Sequence, residues 1–340
     1  MERQPLHFFT ELLPIALRDA ATQLGGLVGS AGEDLAFVDN ATTGVNAVLR
    51  SLALEAGDEV LTTNHVYGAV ARTIDFVTRR ANARGVFIDV PFPPRDPEQV
   101  IELLAAAITP KTKIAVVDHI TSATGLVLPV KKLVEVCRER GVPVLVDGAH
   151  GPGMLPLNLN ELGADWYTGN CHKWLCSAKG CAFLWTNPHS KVARSNLHPT
   201  VISHALDEDW PAEFDFVGTR DYTPFLSLPA ALVFHQELGP QRIYRYIREL
   251  VIEAGASLCA AWEVESVVPP AMIGSLLTLP IPQEIEGDQT LAFALRKRVW
   301  ETHRIEVPFV PFNGKIWIRI SAQVYNELND YRRLEEIFPL

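Results

Sequence analysis

The chain has no apolar run approaching the roughly 20 residues that a membrane-spanning helix requires, so no such span is expected. Its first ten residues include Glu2 and Arg3, with no apolar stretch of useful length after them. A secretory leader is therefore not expected, and the cytoplasm is the expected compartment. Positive charge is also in short supply: 30 Lys and Arg against 40 Asp and Glu leave a formal charge of −10. Phosphate backbones demand clustered bases. The small clusters here, Arg79-Arg80, Lys131-Lys132 and Arg296–Arg298, fit solvated helix faces, so nucleic acid is not expected as a partner.

Cysteine is sparse. Cys137, Cys171, Cys176, Cys181 and Cys259 are an odd set in a long chain, which suits reduced thiols better than a disulfide framework. Cys171, Cys176 and Cys181 lie near His172 but contain no C-x-x-C pair, so no metal is expected and small buried side chains are the better reading. The glycines at 25, 26, 29 and 32 do not make a G-x-G-x-x-G after a strand. Without that fingerprint a dinucleotide-dependent oxidoreductase is not expected. Internal repeats and low-complexity segments are missing too.

What is there reads as an ordinary globular protein. The 340 residues, 48% hydrophobic and 21% charged, suffice for two domains. Helical stripes at Thr42–Leu54, Pro97–Ile108 and Val130–Arg140 alternate with short apolar runs at Glu59–Thr63, Gly85–Val90, Lys113–Asp118 and Pro143–Val146. That alternation predicts a mainly parallel sheet with helices on both faces. The tract His198–Pro224 is expected to be a long structured loop. After it, helices are expected at Leu228–Glu237, Gln241–Trp262, Thr290–His303 and Tyr325–Phe338, with a strand at Ile316–Ser321. This tail predicts a smaller α+β domain, with residues 1–235 forming the large domain and 236–340 the small one.

Ligands of parallel sheets sit past the carboxyl ends of the strands. Asp147 lies at such an end, in V-L-V-D-G-A-H-G, and Ser122 lies in the T-S-A-T-G loop after another. Lys173 follows in G-A-D-W-Y-T-G-N-C-H-K-W. Pyridoxal 5'-phosphate (PLP) needs such a pair: a lysine for its aldehyde and a carboxylate to keep its ring nitrogen protonated. Asn40-Ala41-Thr42-Thr43-Gly44 opens a helix, a place for a phosphate as well as a plain N-cap. His65 and Tyr67 end the next strand, and either ring could stack on a cofactor or simply join the core.

The segments N-A-T-T-G-V-N, D-G-A-H-G, N-C-H-K-W, V-G-T-R-D and W-I-R-I-S-A-Q-V-Y-N resemble the class V aminotransferase family of fold-type I PLP enzymes, in its branch of isopenicillin N epimerases and cysteine desulfhydrases. The resemblance implies an α/β fold with a mainly parallel seven-stranded sheet in the large domain. It implies that Lys173 bonds to the cofactor and moves the Cα proton, while Asp147 pairs with the ring nitrogen. His150 and Ser122 would lie near the phenolic oxygen, and Thr42, Thr43, Asn170 and His172 would hold the phosphate. Thr219 would reach the phosphate of a neighbouring subunit, making the active unit a homodimer with a shared site. Arg319 would bind the carboxylate of an amino-acid substrate through its planar fork.

Two departures from the family pattern carry expectations. Persulfide-forming desulfurases place a cysteine shortly before the matching arginine, and Arg304–Ile318 holds none. Related chains also begin earlier, with an L-N-x-G-S-x-G-like segment at the pocket mouth, so either a truncated start or a more open mouth is expected, and a non-catalytic protein of the same fold is an alternative. The main expectation is a PLP-dependent C–S lyase or epimerase acting at Cα, with transamination as an alternative. Epimerisation needs a second acid, for which His65, Tyr67 and Tyr222 are candidates.

Overall fold

The computed structural model describes residues 3–194 and 196–338. After the first long helix, α1 (Leu13–Val28), strand β1 (Leu35–Val38) leads into α2 (Ala41–Ser51). Then follow β2 (Glu59–Thr63), α3 (Gly68–Ala81), β3 (Arg84–Ile88), α4 (Pro97–Ala107), β4 (Thr112–Asp118), α5 (Val130–Glu139) and β5 (Val144–Asp147). Strand β6 (Trp166–Asn170) runs straight into the single turn α6 (Cys171–Trp174), and β7 (Ala182–Thr186) follows. The sheet order is β1-β7-β6-β5-β4-β2-β3. Strands β3, β2, β4, β5 and β6 are mutually parallel, while β7 is antiparallel to both β6 and β1.

Helices cover both faces, so the inner strands are buried on both sides. Val60, Ile114, Val116 and Leu145 meet Val45 and Val48 of α2 and Val70 and Ile74 of α3. The alternate residues Leu61, Ala115, Val117, Val144 and Val146 face a second core shared with α1, α4 and α5. Each fully buried Leu or Val contributes about 1.5–3 kcal/mol relative to exposure. This explains the near-continuous apolar runs of these strands.

The tail begins with α7 (Leu228–Leu238) and α8 (Pro240–Trp262). It adds a three-stranded antiparallel sheet, ordered β8 (Leu276–Leu279), β10 (Lys315–Ser321), β9 (Phe309–Phe312), with α9 (Gln289–His303) inserted after β8. Three sequence expectations need adjustment. The tract 198–224 is mostly loop but holds two short helical turns, Trp210–Asp215 and Thr223–Leu226. The expected helix Tyr325–Phe338 shrinks to Leu328–Arg332 and a 3-10 turn at Glu335–Ile337. Its start is fixed at Leu328 by a capping box, in which Glu327 is the N-cap and the Asp330 carboxylate takes the Glu327 N–H at 3.0 Å. Third, β1, α1 and β9 are not among the expected elements, although the buried Leu13, Leu17, Ala20, Ala21, Leu24 and Val28 of α1 follow a helical spacing. Among the described residues no helix is long and apolar enough to cross a membrane.

Candidate active site

Parallel pairing puts Asp118 of β4 and Asp147 of β5 in register at the carboxyl ends of their strands. Adjacent residues on one strand point to opposite faces. Asp118 therefore shares the face of Val116, and Asp147 that of Leu145, which is the face covered by α2 and α3. The strand order then sets Lys173 (after β6), Asp147, Asp118 and Tyr67 (after β2) across the end of the sheet. All four line one cavity of about 420 Å³, together with Thr42, Ser122, His150, Asn170 and His172. A larger open groove of about 500 Å³ beside Leu27, Pro156 and Val233 has no acid, lysine, arginine or histidine in its wall and offers no comparable chemistry.

The cavity floor is built by close backbone approach. A Cβ on Gly44 would collide with the Thr168 hydroxyl, so α2 sits directly on β6. A Cβ on Gly148 or Gly151 would collide with the Tyr167 hydroxyl, which is 3.0 Å from His119 Nδ1. The glycines of D-G-A-H-G thus let the turn after β5 lie flat over Tyr167.

At the α2 end, Asn40 caps the helix by accepting from the Thr43 N–H at 2.9 Å and the Thr43 hydroxyl at 3.2 Å. Asn170 accepts the Ala41 N–H at 2.8 Å. Thr42 lines the cavity together with Asn40 and Ala41, whereas Thr43 does not. His172 lines the same region, and its Nδ1 is buried without a partner among the described residues. A helix start and an unpartnered imidazole nitrogen fit an anion such as a phosphate.

At the opposite end two buried acids stand together. Asp147 accepts from the Ala149 N–H at 3.0 Å, and Oδ2 of Asp118 has no partner among the described residues. Burial raises both carboxyls, and the neighbouring Asp147 raises Asp118 further. Such a pair calls for a cation or a proton donor. Lys173 Nζ lies 3.0 Å from His150 Nε2, and the Trp174 indole N–H donates to His150 Nδ1 at 3.1 Å. Burial lowers Lys173 against the pull of Asp147, and Arg319 lowers it further. His150 is held well below its ordinary value by burial, then by Lys173 and Arg319. An unpartnered acid at one end, an anion cup at the other and an amine between them fit PLP.

Some candidates stand apart from this cavity. His65 is buried, its Nδ1 2.7 Å from the Thr124 hydroxyl and its Nε2 3.0 Å from Val90 O, and its ring lies 4.3 Å from that of Phe312. Both nitrogens are engaged, so His65 joins the contact between β2 and β9, while Tyr67 lines the cavity. Thr43 turns back to Asn40, as above. Thr219 is exposed, in a loop tied to the strand-end residue Asp39 by Arg220 at 2.7 Å. Arg319 enters on β10 with its Nε buried and unpartnered among the described residues, and its charge is felt at Lys173 and His150. Tyr222 is buried, its hydroxyl donating to Gly218 O at 3.1 Å.

Sequence reasoning missed Asp118, Trp174 as a hydrogen-bond donor, and Gln323. The Gln323 amide donates to Trp174 O at 3.3 Å and so joins the small sheet to the lysine turn. Asp118 had a signal: like Asp147, it is an acid closing a buried apolar run.

Comparison with known proteins gives a consistent result. The profile of the family Aminotransferase class-V matches residues 6–333. The isopenicillin N epimerase of Amycolatopsis lactamdurans is 32% identical, over 99% of this chain and 87% of that protein. The L-cysteine desulfhydrase of Arabidopsis thaliana is 29% identical, over 98% and 80%. A solved structure of a C-DES mutant with glycine covalently linked to the PLP cofactor superposes with a TM-score of 0.81 at 24% identity, covering 96% of this chain and 84% of that one, which supports the fold. These results bear out the family, the branch and the seven-stranded mainly parallel fold expected from the motifs. The chain is a member of the aminotransferase class-V family.

Proposed function

We propose that this chain is a PLP-dependent enzyme that cleaves the C–S bond of cysteine or a closely related β-thio amino acid. The observation that carries this reading is the single cavity that joins Lys173, the paired acids Asp147 and Asp118, and the helix start at Thr42. PLP, when bound, supplies an electron sink for breaking bonds at Cα. The chain's own residues supply the rest. Asp147 holds a proton at the ring nitrogen. Thr42 and His172 hold the phosphate, and Asn170 fixes the helix start beside it. Thr43 acts only through the cap. Ser122 and His150 face the phenolic side. Tyr67, whose ring lines the cavity, covers the ring in preference to His65.

Lys173 takes the proton from the substrate Cα, a task that requires a free amine. Arg319 binds the substrate carboxylate, and its buried, unpartnered Nε is consistent with a fork waiting for an anion. Thr219, exposed in this chain, serves the phosphate of a second copy, so the working unit is a homodimer with shared sites.

Elimination needs one base at Cα and a departing thiolate. Epimerisation needs a second acid placed for the other face. Asp118 stands beside Asp147 at the ring-nitrogen end, and His150 is held between Trp174 and Lys173. Tyr67 is the ionisable side chain lining the β2 side of the cavity, and covering the cofactor ring takes it out of the acid role. This favours elimination, in which cysteine and water give pyruvate, sulfide and ammonia. Similarity to an isopenicillin N epimerase over nearly the whole chain keeps epimerisation as the second reading.

The test is incubation of the PLP-loaded protein with L-cysteine and thioether amino acids in heavy water. Pyruvate release supports the lyase. Deuterium at Cα without pyruvate points to the epimerase. A purified protein that takes up no PLP would overturn both.

A further inference from the structure

Three side chains at the cavity fix one another's hydrogens. An indole nitrogen carries a hydrogen and has no lone pair to offer, so it can only donate. Trp174 Nε1 faces His150 Nδ1 at 3.1 Å, so Nδ1 presents a lone pair. A neutral imidazole with a bare Nδ1 carries its hydrogen on Nε2, and an imidazolium would set two donors against each other at Nδ1. The Nε2 hydrogen then points at Lys173 Nζ, 3.0 Å away. An ammonium has three hydrogens and no lone pair, so it cannot receive that hydrogen; a neutral amine can.

We infer that Trp174 sets the tautomer of His150 and, through it, selects the free-base form of the Lys173 amine, making Trp174 a positioning residue for the reactive lysine. The groups around Lys173 leave the choice balanced without it. Asp147 at the end of β5 and Asp118 at the end of β4 favour the ammonium, whereas burial and Arg319 on β10 oppose it. A donor aimed at Nζ tips that balance toward the amine. Trp174 is well placed for this, because the turn α6 that carries Lys173 carries Trp174 as the next residue and Gln323 holds its carbonyl. The consequence for catalysis rests on the proposed PLP chemistry; the tautomer itself does not.

The protein labelled with ¹⁵N-histidine, as purified and after removal of any PLP, tests the assignment, with His150 identified by its missing signals in His150→Gln. The expected spectrum shows His150 Nδ1 as an unprotonated imidazole nitrogen and Nε2 as a protonated one. Trp174→Phe keeps an aromatic ring and removes the N–H. It is expected to give mixed tautomers and to move the pH midpoint of the PLP uptake rate up by about one unit, because Lys173 then keeps its proton longer. A hydrogen on Nδ1 in the unsubstituted protein overturns the inference, as does a Trp174→Phe protein with unchanged tautomer and unchanged midpoint. Should Trp174→Phe fail to fold, the spectrum of the unsubstituted protein decides alone. Uptake of no PLP at any pH would count against the proposed function and leave the tautomer to the spectrum.

Discussion

On the β5–β6 side of the cavity Lys173, His150 and Trp174 form one hydrogen-bonded chain, and the Asp147 carboxylate takes the Ala149 N–H. On the β2 side Tyr67 is 45% exposed, and its hydroxyl makes no hydrogen bond within the described residues. One wall is fixed before anything binds; the other can adapt. Preorganised groups serve the step shared by all substrates, and a less constrained wall is where substrates are told apart. On the proposed reading, the step common to lyases and epimerases falls to the first wall, and the choice between them falls to the second.

That contrast can be broken from either side. Lys173→Ala strikes the fixed wall hardest: pyruvate release from L-cysteine should fall by about 10³-fold or more, and the absorbance band of the lysine-bound cofactor should vanish. Asp147→Asn should lower kcat by about 10²-fold while leaving the fold intact, as checked by circular dichroism. Equal rates for Asp147→Asn and the unsubstituted protein would remove Asp147 from the proposed role. On the adaptable wall, Tyr67→Ala should retain PLP and raise KM for L-cysteine about 10-fold, with relative rates among thioether amino acids changing more than any of those rates alone. A Tyr67→Ala protein that keeps its KM and substrate order would show that this wall does not discriminate.

Stability should also report on the buried side. His65 and His119 are both held down to about 4 by burial. The unfolded chain takes up protons on these rings below about 6.5 while the folded chain does not, so stability falls as pH drops from 6.5 toward 4, by up to about 1.4 kcal/mol per pH unit for each ring. Urea titrations at several pH values would measure the slope, and His65→Gln should flatten it. The smallest effect is expected at Asp118. Replacing this buried acid, whose Oδ2 has no partner, by Asn removes a charge held close to Asp147 and should stabilise the PLP-free protein by about 1 kcal/mol, seen as a higher Tm.

Much of this site could be read without coordinates. Asp147, Lys173 and the Thr42 helix start are signalled by local rules, namely where apolar runs end and helices begin, and the cavity joins all three. Choosing between His65 and Tyr67 could not be done locally. It depends on Phe312, 247 residues away in sequence by the numbering, packing on the His65 ring from the other sheet. Nor could the donor role of Trp174 be read, since a tryptophan beside a lysine looks the same in sequence whether its N–H meets water or an imidazole. Strands β1 and β9 are not read from the sequence, and pairing with β7 and β10 makes them strands.

The flat turn over Tyr167 has a consequence for how this chain can change. At Gly151 an added methyl group meets the tyrosine oxygen, while the ring carbon behind it stands 3.4 Å away. At Gly148 the ring itself is in the way. Gly151→Ala should therefore be rescued by Tyr167→Phe, and Gly148→Ala should not. Position 167 and the two glycines form a unit of heredity: the first step of a path through Gly151 must be taken at the tyrosine, and no path through Gly148 opens until the ring is gone.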